Sequence, residues 1–140
     1  MAFQYEIVND LRVTFVKASG KIGLTDIINY LELQFNDPDF RPGIYSLIDL
    51  RDITVTVTFD DLKSIKNFVG LYKTKVINSK SALITNSNLV FQLAKMLAIL
   101  TAVYQIDVKV FLGLDEAKRW LGLIQSDKKH CNTEFLQQFC

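Results

Sequence analysis

Four aspartates within residues 49–61 are the side chains in this sequence best suited to chemistry. Asp49 and Asp52 end an apolar run, and Asp60 and Asp61 follow shortly after. Carboxylates that converge in a cleft can act as a general acid and base or can bind Mg²⁺. The alternative is structural, with Asp49 holding neighbouring backbone and Asp60 and Asp61 favouring a helix N-terminus. We favour the structural interpretation and expect no enzymatic activity, no cofactor and no metal site.

The C-terminal segment offers a second set of reactive types. His130 and Cys131 are adjacent, but a Cys–His nucleophile needs both side chains in one pocket, and a zinc site needs about four ligands. Neither function is favoured. Cys131 and Cys140 both lie in the last ten residues, so they cannot form a framework that stabilises the core. A chain body without cysteine indicates a reducing cytoplasm.

The hydrophobic pattern predicts the elements that must position these groups. Strands are expected at 3–9, 11–18, 44–50, 81–85 and 108–112. The first helix should start near Thr25, and the second should cover 60–75. The third should follow a cap at Asn86 or Ser87, and the fourth should cover 115–121 and stop at Gly122. Residues 52–59 are ambiguous. We interpret their first half as a loop and the rest as the approach to a helix capped by Thr58 and Asp61.

This order, ββαβαβαβα, predicts an α/β fold: a mixed, mostly parallel five-stranded sheet with about four helices on at least one face. Residues 1–122 should form one domain. Residues 123–140 should form a tail that is partly helical or docked on a partner.

Composition restricts the partners. The chain has 140 residues, 16 of them basic and 15 acidic, so its net charge of +1 argues against a nucleic-acid surface. The most apolar segment, 89–104, contains Gln92 and Lys95 and is shorter than the roughly 20 residues of a membrane span. The first ten residues lack a signal-peptide pattern. We expect a cytoplasmic protein without a membrane span.

Three segments carry a resemblance to a known family. They are residues 37–43 (DPDFRPG), residues 47–52 (LIDLRD), and residues 114–117 (LDEA) with Trp120 and Leu121. Over roughly residues 3–122 the sequence resembles the STAS superfamily, and more closely its SpoIIAA-like branch of small bacterial proteins, which are related in shape to CRAL-TRIO lipid-binding domains. The resemblance implies that fold and a regulatory or protein-interaction role.

The resemblance also implies a candidate phosphosite. Classical members carry a phosphorylatable serine in an Asp-Ser-Ser-Gly-like turn where the second helix begins. The matching region here is 57–61, where Thr58 supplies the only hydroxyl. Asp60 and Asp61 would repel a phosphate added there. A helix cap is the favoured role of Thr58.

Two surfaces are candidate binding sites. Ligands of open α/β sheets bind beyond the carboxyl ends of parallel strands. That rim would contain Asp52, Thr85, Asn86, Ser87 and Gly113, although helix capping is the stronger interpretation of Asn86 and Ser87.

The third predicted helix turns apolar on its outer face. Met96, Ile99 and Val103 continue its polar stripe, which indicates a covering partner. The cover is either a second subunit or the chain's own tail, where three residues also need burial: Phe135, Leu136 and Phe139.

Two functions follow from these patterns. The preferred one is a non-enzymatic regulatory or protein-interaction module that associates with itself or with another protein. The alternative is a carrier of a small apolar or lipid-like ligand, bound between the sheet and the helices. The residues expected to line such a cavity are aromatic: Phe59, Phe68, Tyr72, Phe91 and Tyr104.

Overall fold

A five-stranded sheet organises the chain in the computed structural model, which describes residues 2–123 and 129–140. Its strands are β1 (Phe3–Val8), β2 (Val13–Ile22), β3 (Tyr45–Val55), β4 (Lys80–Ile84) and β5 (Asp107–Phe111). They lie side by side in chain order. The first pair is antiparallel and the other three are parallel. The predicted mixed, mostly parallel sheet is confirmed.

Helical segments alternate with the parallel strands. In the described residues they are α1 (Leu24–Phe35), α2 (Phe59–Gly70), α3 (Lys73–Val76), α4 (Asn88–Thr101), α5 (Leu114–Trp120) and α6 (Glu134–Gln137). Two short 3-10 turns cover Ala102–Tyr104 and Lys129–Asn132. The predicted order is confirmed, with more helical segments than the four expected because α3 and α6 are single turns.

The helices form a layer on each face of the sheet. Successive parallel strands always move to the same side, so right-handed crossovers place their connecting helices on one face. Side chains alternate accordingly. Val16 and Ala18 pack with α1 on this face, whereas Val13 and Phe15 point to the other face, against α5 and the tail. A core therefore lies on both sides of the sheet.

The third strand is longer than predicted. Its last residues pair with the second half of β2, from Ser19 opposite Asp52 to Ile22 opposite Val55. The first half of residues 52–59 was expected to be a loop, and that expectation is wrong; the predicted second strand ended at residue 18, four residues short of the observed end of β2. Each extension has a partner only because the other exists, and such long-range pairing overrides the local turn signal of Ser19 and Gly20.

Most helix ends follow the predicted signals. Thr58 Oγ1 accepts from Asp61 N at 3.2 Å, and Thr58 N donates to Asp61 Oδ2 at 2.9 Å, which completes the predicted cap of α2. Gly122 ends α5 with a positive φ of 81°, as only glycine adopts readily. The helix expected to start near Thr25 begins at Leu24, and its N-cap is Gly23, whose N–H donates to Asp26 Oδ2 at 2.9 Å.

The tail docks on its own chain. Leu136 and Phe139 are fully buried in the core on the α5 side of the sheet. The rings of Phe139 and Phe15 lie 5.2 Å apart. The tail therefore neither covers α4, which lies on the other face, nor leaves Leu136 and Phe139 available as an interface. Phe135 packs beside them and is half-buried.

The two cysteines form a disulfide. Cys131 and Cys140 are bonded to each other and close the described end of the tail on itself. They flank α6, whose Leu136 is fully buried. The bond also removes the cysteine-based argument for a reducing compartment. Across residues 2–123 and 129–140, no helix has the length and apolar character needed to cross a membrane.

Candidate functional site

An apolar cavity of about 200 Å³ lies between the sheet and the layer formed by α1, α2 and α4. Its floor comes from alternate residues of β3, including Ile48, Leu50 and Ile53. Ile65 of α2 and Ala94 of α4 contribute to its walls. These helices pack as amphipathic elements, with the buried face of each directed at the same strip of sheet. None of the described residues that line the cavity is charged.

Polar groups gather at one end of the cavity. Ser46 and Ser81 lie near the amino ends of β3 and β4, and Ser79 directly precedes β4. Gln34 of α1 and Thr101 of α4 lie near the ends of helices that lead back to this same edge of the sheet. The opposite end is apolar.

Tyr30 also belongs to the lining and carries a polar group, but its hydroxyl oxygen is buried. The Tyr30 hydroxyl is buried and has no hydrogen-bond partner in the described part of the chain. Burial, with a smaller contribution from nearby Tyr5, raises the pKa of Tyr30 far above its ordinary value. Tyr5 itself donates to Asp37 Oδ2 at 2.8 Å. Burial and that carboxylate raise the pKa of Tyr5 to about 12.

The cavity is not lined by the aromatic side chains expected from the sequence. Phe59 is 47% exposed, and Phe68 and Tyr72 pack against one another beside α1. Tyr104 lies against the backbone of α2, and Phe91 also falls outside the lining. The sequence showed that aromatic residues lie on these helices, but not which of them turn inward. Aliphatic residues form most of the lining, together with four aromatic ones: Phe3, Tyr30, Phe35 and Phe40.

The rim predicted at the carboxyl ends of the strands is separate from the cavity. Thr85 Oγ1 accepts from Ser87 N at 3.1 Å, and Ser87 Oγ accepts from Val90 N at 3.3 Å as the cap of α4. Gly113 is the N-cap of α5 on the other face, and Asn86 is exposed. Thr85 and Ser87 thus serve the start of α4, and none of the five rim residues lines the cavity; ligand binding at this rim stays a prediction.

Asp52 and Asp49 belong to an ion-pair cluster. Lys17 Nζ lies 3.2 Å from Asp49 Oδ2 and 2.7 Å from Asp52 Oδ2. Arg51 donates to both oxygens of Asp49, from Nε at 3.0 Å and from a terminal nitrogen at 2.8 Å. The Asp49 side chain is only 3% exposed. The bidentate pair lies within β3 and leaves the carboxylate occupied, and Lys17 links β2 to it.

The cluster also sets the ionisation of Asp49. Burial is the largest influence and opposes the charge, but hydrogen bonds from Arg51 and Lys17 together outweigh it and hold the pKa of Asp49 below its ordinary value. Asp49 is therefore a structural anion and not a proton donor at neutral pH. In the described part of the chain, no cluster of three potential metal ligands is present.

The remaining predicted residues lie on the surface. Thr58 is exposed, and its hydroxyl accepts from Asp61 N as a helix cap; its phosphorylation stays a prediction. Ile99 of α4 is 76% exposed, and Val103 in the 3-10 turn that follows α4 is 67% exposed, while Met96 is half-buried and packs against the core. No described part of the chain covers Ile99 and Val103, which are called the α4 patch below.

Comparison with known proteins supports the fold. No family model matches the sequence, and no curated protein is significantly similar to it. Among solved structures, the chain resembles an uncharacterised protein of the DUF3478 family with a SpoIIAA-like fold, from Shewanella loihica. The two chains are 20% identical, the match covers 86% of this chain and 92% of that one, and the TM-score is 0.54. The chain thus has a SpoIIAA-like α/β fold, in agreement with the resemblance in its sequence.

Proposed function

We propose that this protein is a non-enzymatic binding module that carries a small apolar ligand in the cavity under α1, α2 and α4. The observation that supports the proposal most is the apolar cavity of about 200 Å³ between the sheet and these helices. An apolar cavity of about 150 Å³ is large enough to hold benzene. A ligand of about nine non-hydrogen atoms is the matching size.

The charged groups of the structure support binding over catalysis. The buried carboxylate Asp49 is neutralised by Lys17 and Arg51, and it is not part of the cavity lining. Among the described residues, a ligand in the cavity would meet aliphatic and aromatic side chains and neutral polar groups. Such a site selects by shape and apolar surface.

Native mass spectrometry of the gently purified protein tests this function. The wild-type protein should retain an additional small mass that is released on unfolding. Ala94→Leu fills the cavity from α4, where Ala94 is 6% exposed, and should abolish the retained mass. The matched control, Ala102→Leu, makes the same change at an exposed position and should retain it. If the wild type, like Ala94→Leu, shows only the mass of its own polypeptide, the proposal is contradicted.

A second candidate function is self-association through the α4 patch. It is supported by the exposure of Ile99 and Val103 on one helix face. A second copy of the chain would bury the patch in an isologous two-fold contact. Ile99→Glu combined with Val103→Glu should convert a dimer to a monomer in light scattering, whereas Leu71→Glu, at a 78% exposed site elsewhere, should not. A wild-type protein that is monomeric at high concentration would exclude this function.

A further inference from the structure

Three hydroxyl side chains form a row across the face of the sheet that α1, α2 and α4 cover. Thr14 on β2 is in register with Ser46 on β3, and Ser46 is in register with Ser81 on β4. Neighbouring strands lie about 4.8 Å apart, so the three side chains are adjacent. A polar row is unusual on a buried face of a sheet, where residues are mostly aliphatic.

The hydroxyl row is under-used by the protein itself. Thr14 is fully buried, and its Oγ1 has no hydrogen-bond partner. Ser46 is 8% exposed, and within residues 2–123 and 129–140 neither its hydroxyl nor that of Ser81 makes a hydrogen bond to another protein group. The same holds for the side-chain amide of Gln34, which is 3% exposed. Buried polar groups normally have partners, so these oxygens and this amide are available to one.

Ser46, Ser81 and Gln34 line the cavity at the amino ends of the strands. The lining at the carboxyl ends is apolar, with Ile53 and Val57 as examples. The cavity is therefore polar at one end and apolar at the other. With no charged lining residue, a buried carboxylate or ammonium on a ligand would lack a counter-charge and would be disfavoured.

We infer that Ser46 and Ser81 bind the polar group of the ligand. The ligand class is a neutral amphiphile: a hydrocarbon body with one hydroxyl or carbonyl group, which lies at the hydroxyl row while the body extends toward the carboxyl ends of the strands. This inference rests on the proposed function and adds to it the chemical class of the ligand and its orientation.

Tyr30 is the competing partner. Its hydroxyl also lacks a hydrogen bond, and the residue belongs to the cavity lining. However, its ring stacks on Phe3 with centroids 4.6 Å apart, and its oxygen is enclosed near Tyr5, outside the in-register row. The structure favours the serines, and the experiment separates the two.

The test uses two probes of the same shape, 4-ethylphenol and 4-ethyltoluene, which differ by a hydroxyl in place of a methyl. Calorimetric titration gives the Kd of each. In a wholly apolar cavity the phenol should bind about tenfold more weakly, because its hydroxyl loses its bonds to water. With the serines as partners, the phenol should bind at least as tightly as 4-ethyltoluene. A crystal structure of the complex should place the phenol oxygen about 3 Å from Ser46 or Ser81 Oγ.

Variants identify the partner. Ser46→Ala combined with Ser81→Ala should raise the Kd of 4-ethylphenol about tenfold and leave the Kd of 4-ethyltoluene unchanged. The control is Ser64→Ala, at an exposed position of α2 outside the cavity lining, so both affinities should stay unchanged. Tyr30→Phe should likewise leave the ratio of the two Kd values unchanged.

Each remaining outcome is decisive. If neither probe binds, the proposed function fails together with this inference. If both bind, but wild-type protein prefers 4-ethyltoluene by about tenfold, the cavity is a ligand site and the inference about the serines is overturned. If the phenol preference is lost in Tyr30→Phe and kept in the serine double variant, the polar partner is Tyr30. The comparison of probes on wild-type protein holds even if the double variant does not fold.

Discussion

Lys118 of α5 and Phe139 of the tail are joined in the interior: Lys118 Nζ donates a 2.7 Å hydrogen bond to the backbone carbonyl of Phe139. Lys118 is only 6% exposed and Phe139 is fully buried. The contact fixes the end of the chain against the sheet face opposite the cavity. The tail is consequently part of the folded core, and the cavity lies in a sheet whose other face is closed by residues near the C-terminus.

Phe139→Ala should therefore destabilise the whole protein. Removal of a fully buried aromatic side chain costs about 3–5 kcal/mol of unfolding free energy. Urea denaturation measures the loss. Phe135→Ala, at a half-buried position beside it, should cost less than half as much. Equal small effects of the two substitutions would show that the tail is not packed as described.

Asp49→Asn should destabilise the protein in a pH-dependent way. The pKa of Asp49 is lowered in the folded state, so its stabilising contribution is complete above the unfolded pKa, near pH 4, and is lost as the pH falls through the folded pKa. At pH 7 the variant should lose roughly 1–3 kcal/mol, since Lys17 and Arg51 are left without their shared partner.

Unfolding measured between pH 7 and pH 2 checks this prediction. The difference between the wild type and Asp49→Asn should shrink below about pH 4. Asp52→Asn, whose side chain is 68% exposed, is the control and should cost under about 1 kcal/mol. A difference that stays constant down to pH 2 would contradict the assignment.

Two tyrosine substitutions with the same chemical change should have opposite effects. Tyr30→Phe removes a buried hydroxyl that has no partner, so it should stabilise the ligand-free protein by about 1 kcal/mol. Tyr5→Phe removes a hydroxyl that donates to Asp37, so it should destabilise by about 1 kcal/mol. Thermal unfolding distinguishes them, and equal losses for both would mean that the Tyr30 hydroxyl has a partner.

Reduction of the Cys131–Cys140 bond should lower stability. The bond joins residues nine positions apart, and closing so short a loop is worth about 2–3 kcal/mol in the chain-entropy model. Urea denaturation with and without dithiothreitol measures the effect. The double variant Cys131→Ser with Cys140→Ser should be insensitive to the reductant and as stable as the reduced wild type.

Much of the fold could be predicted because local signals agreed with the global arrangement. The apolar runs that became β4 and β5, the cap at Thr58 and the stop at Gly122 are determined by neighbouring residues. The second half of β3 was missed because it depends on an extension of β2 some thirty residues away in the chain, for which no local pattern exists.

The candidate site was only partly predictable. A ligand bound between the sheet and the helices was the alternative function predicted from the sequence. The position and lining of the cavity, however, depend on how three helices pack on the sheet. The sequence does contain a signal for the hydroxyl row. Thr14, Ser46 and Ser81 are each a polar residue near the amino end of a strand, on the otherwise apolar face that α1, α2 and α4 cover. A single serine in a strand is uninformative, and only the register places the three together.

The central claim is that the cavity accepts a small apolar molecule. Calorimetric titration of 4-ethyltoluene into the wild type, Ala94→Leu and Ala102→Leu tests it most directly. Saturable binding with one site in the wild type and in Ala102→Leu, and none in Ala94→Leu, is the predicted result. Absence of binding to the wild type, or equal binding to all three proteins, would contradict it.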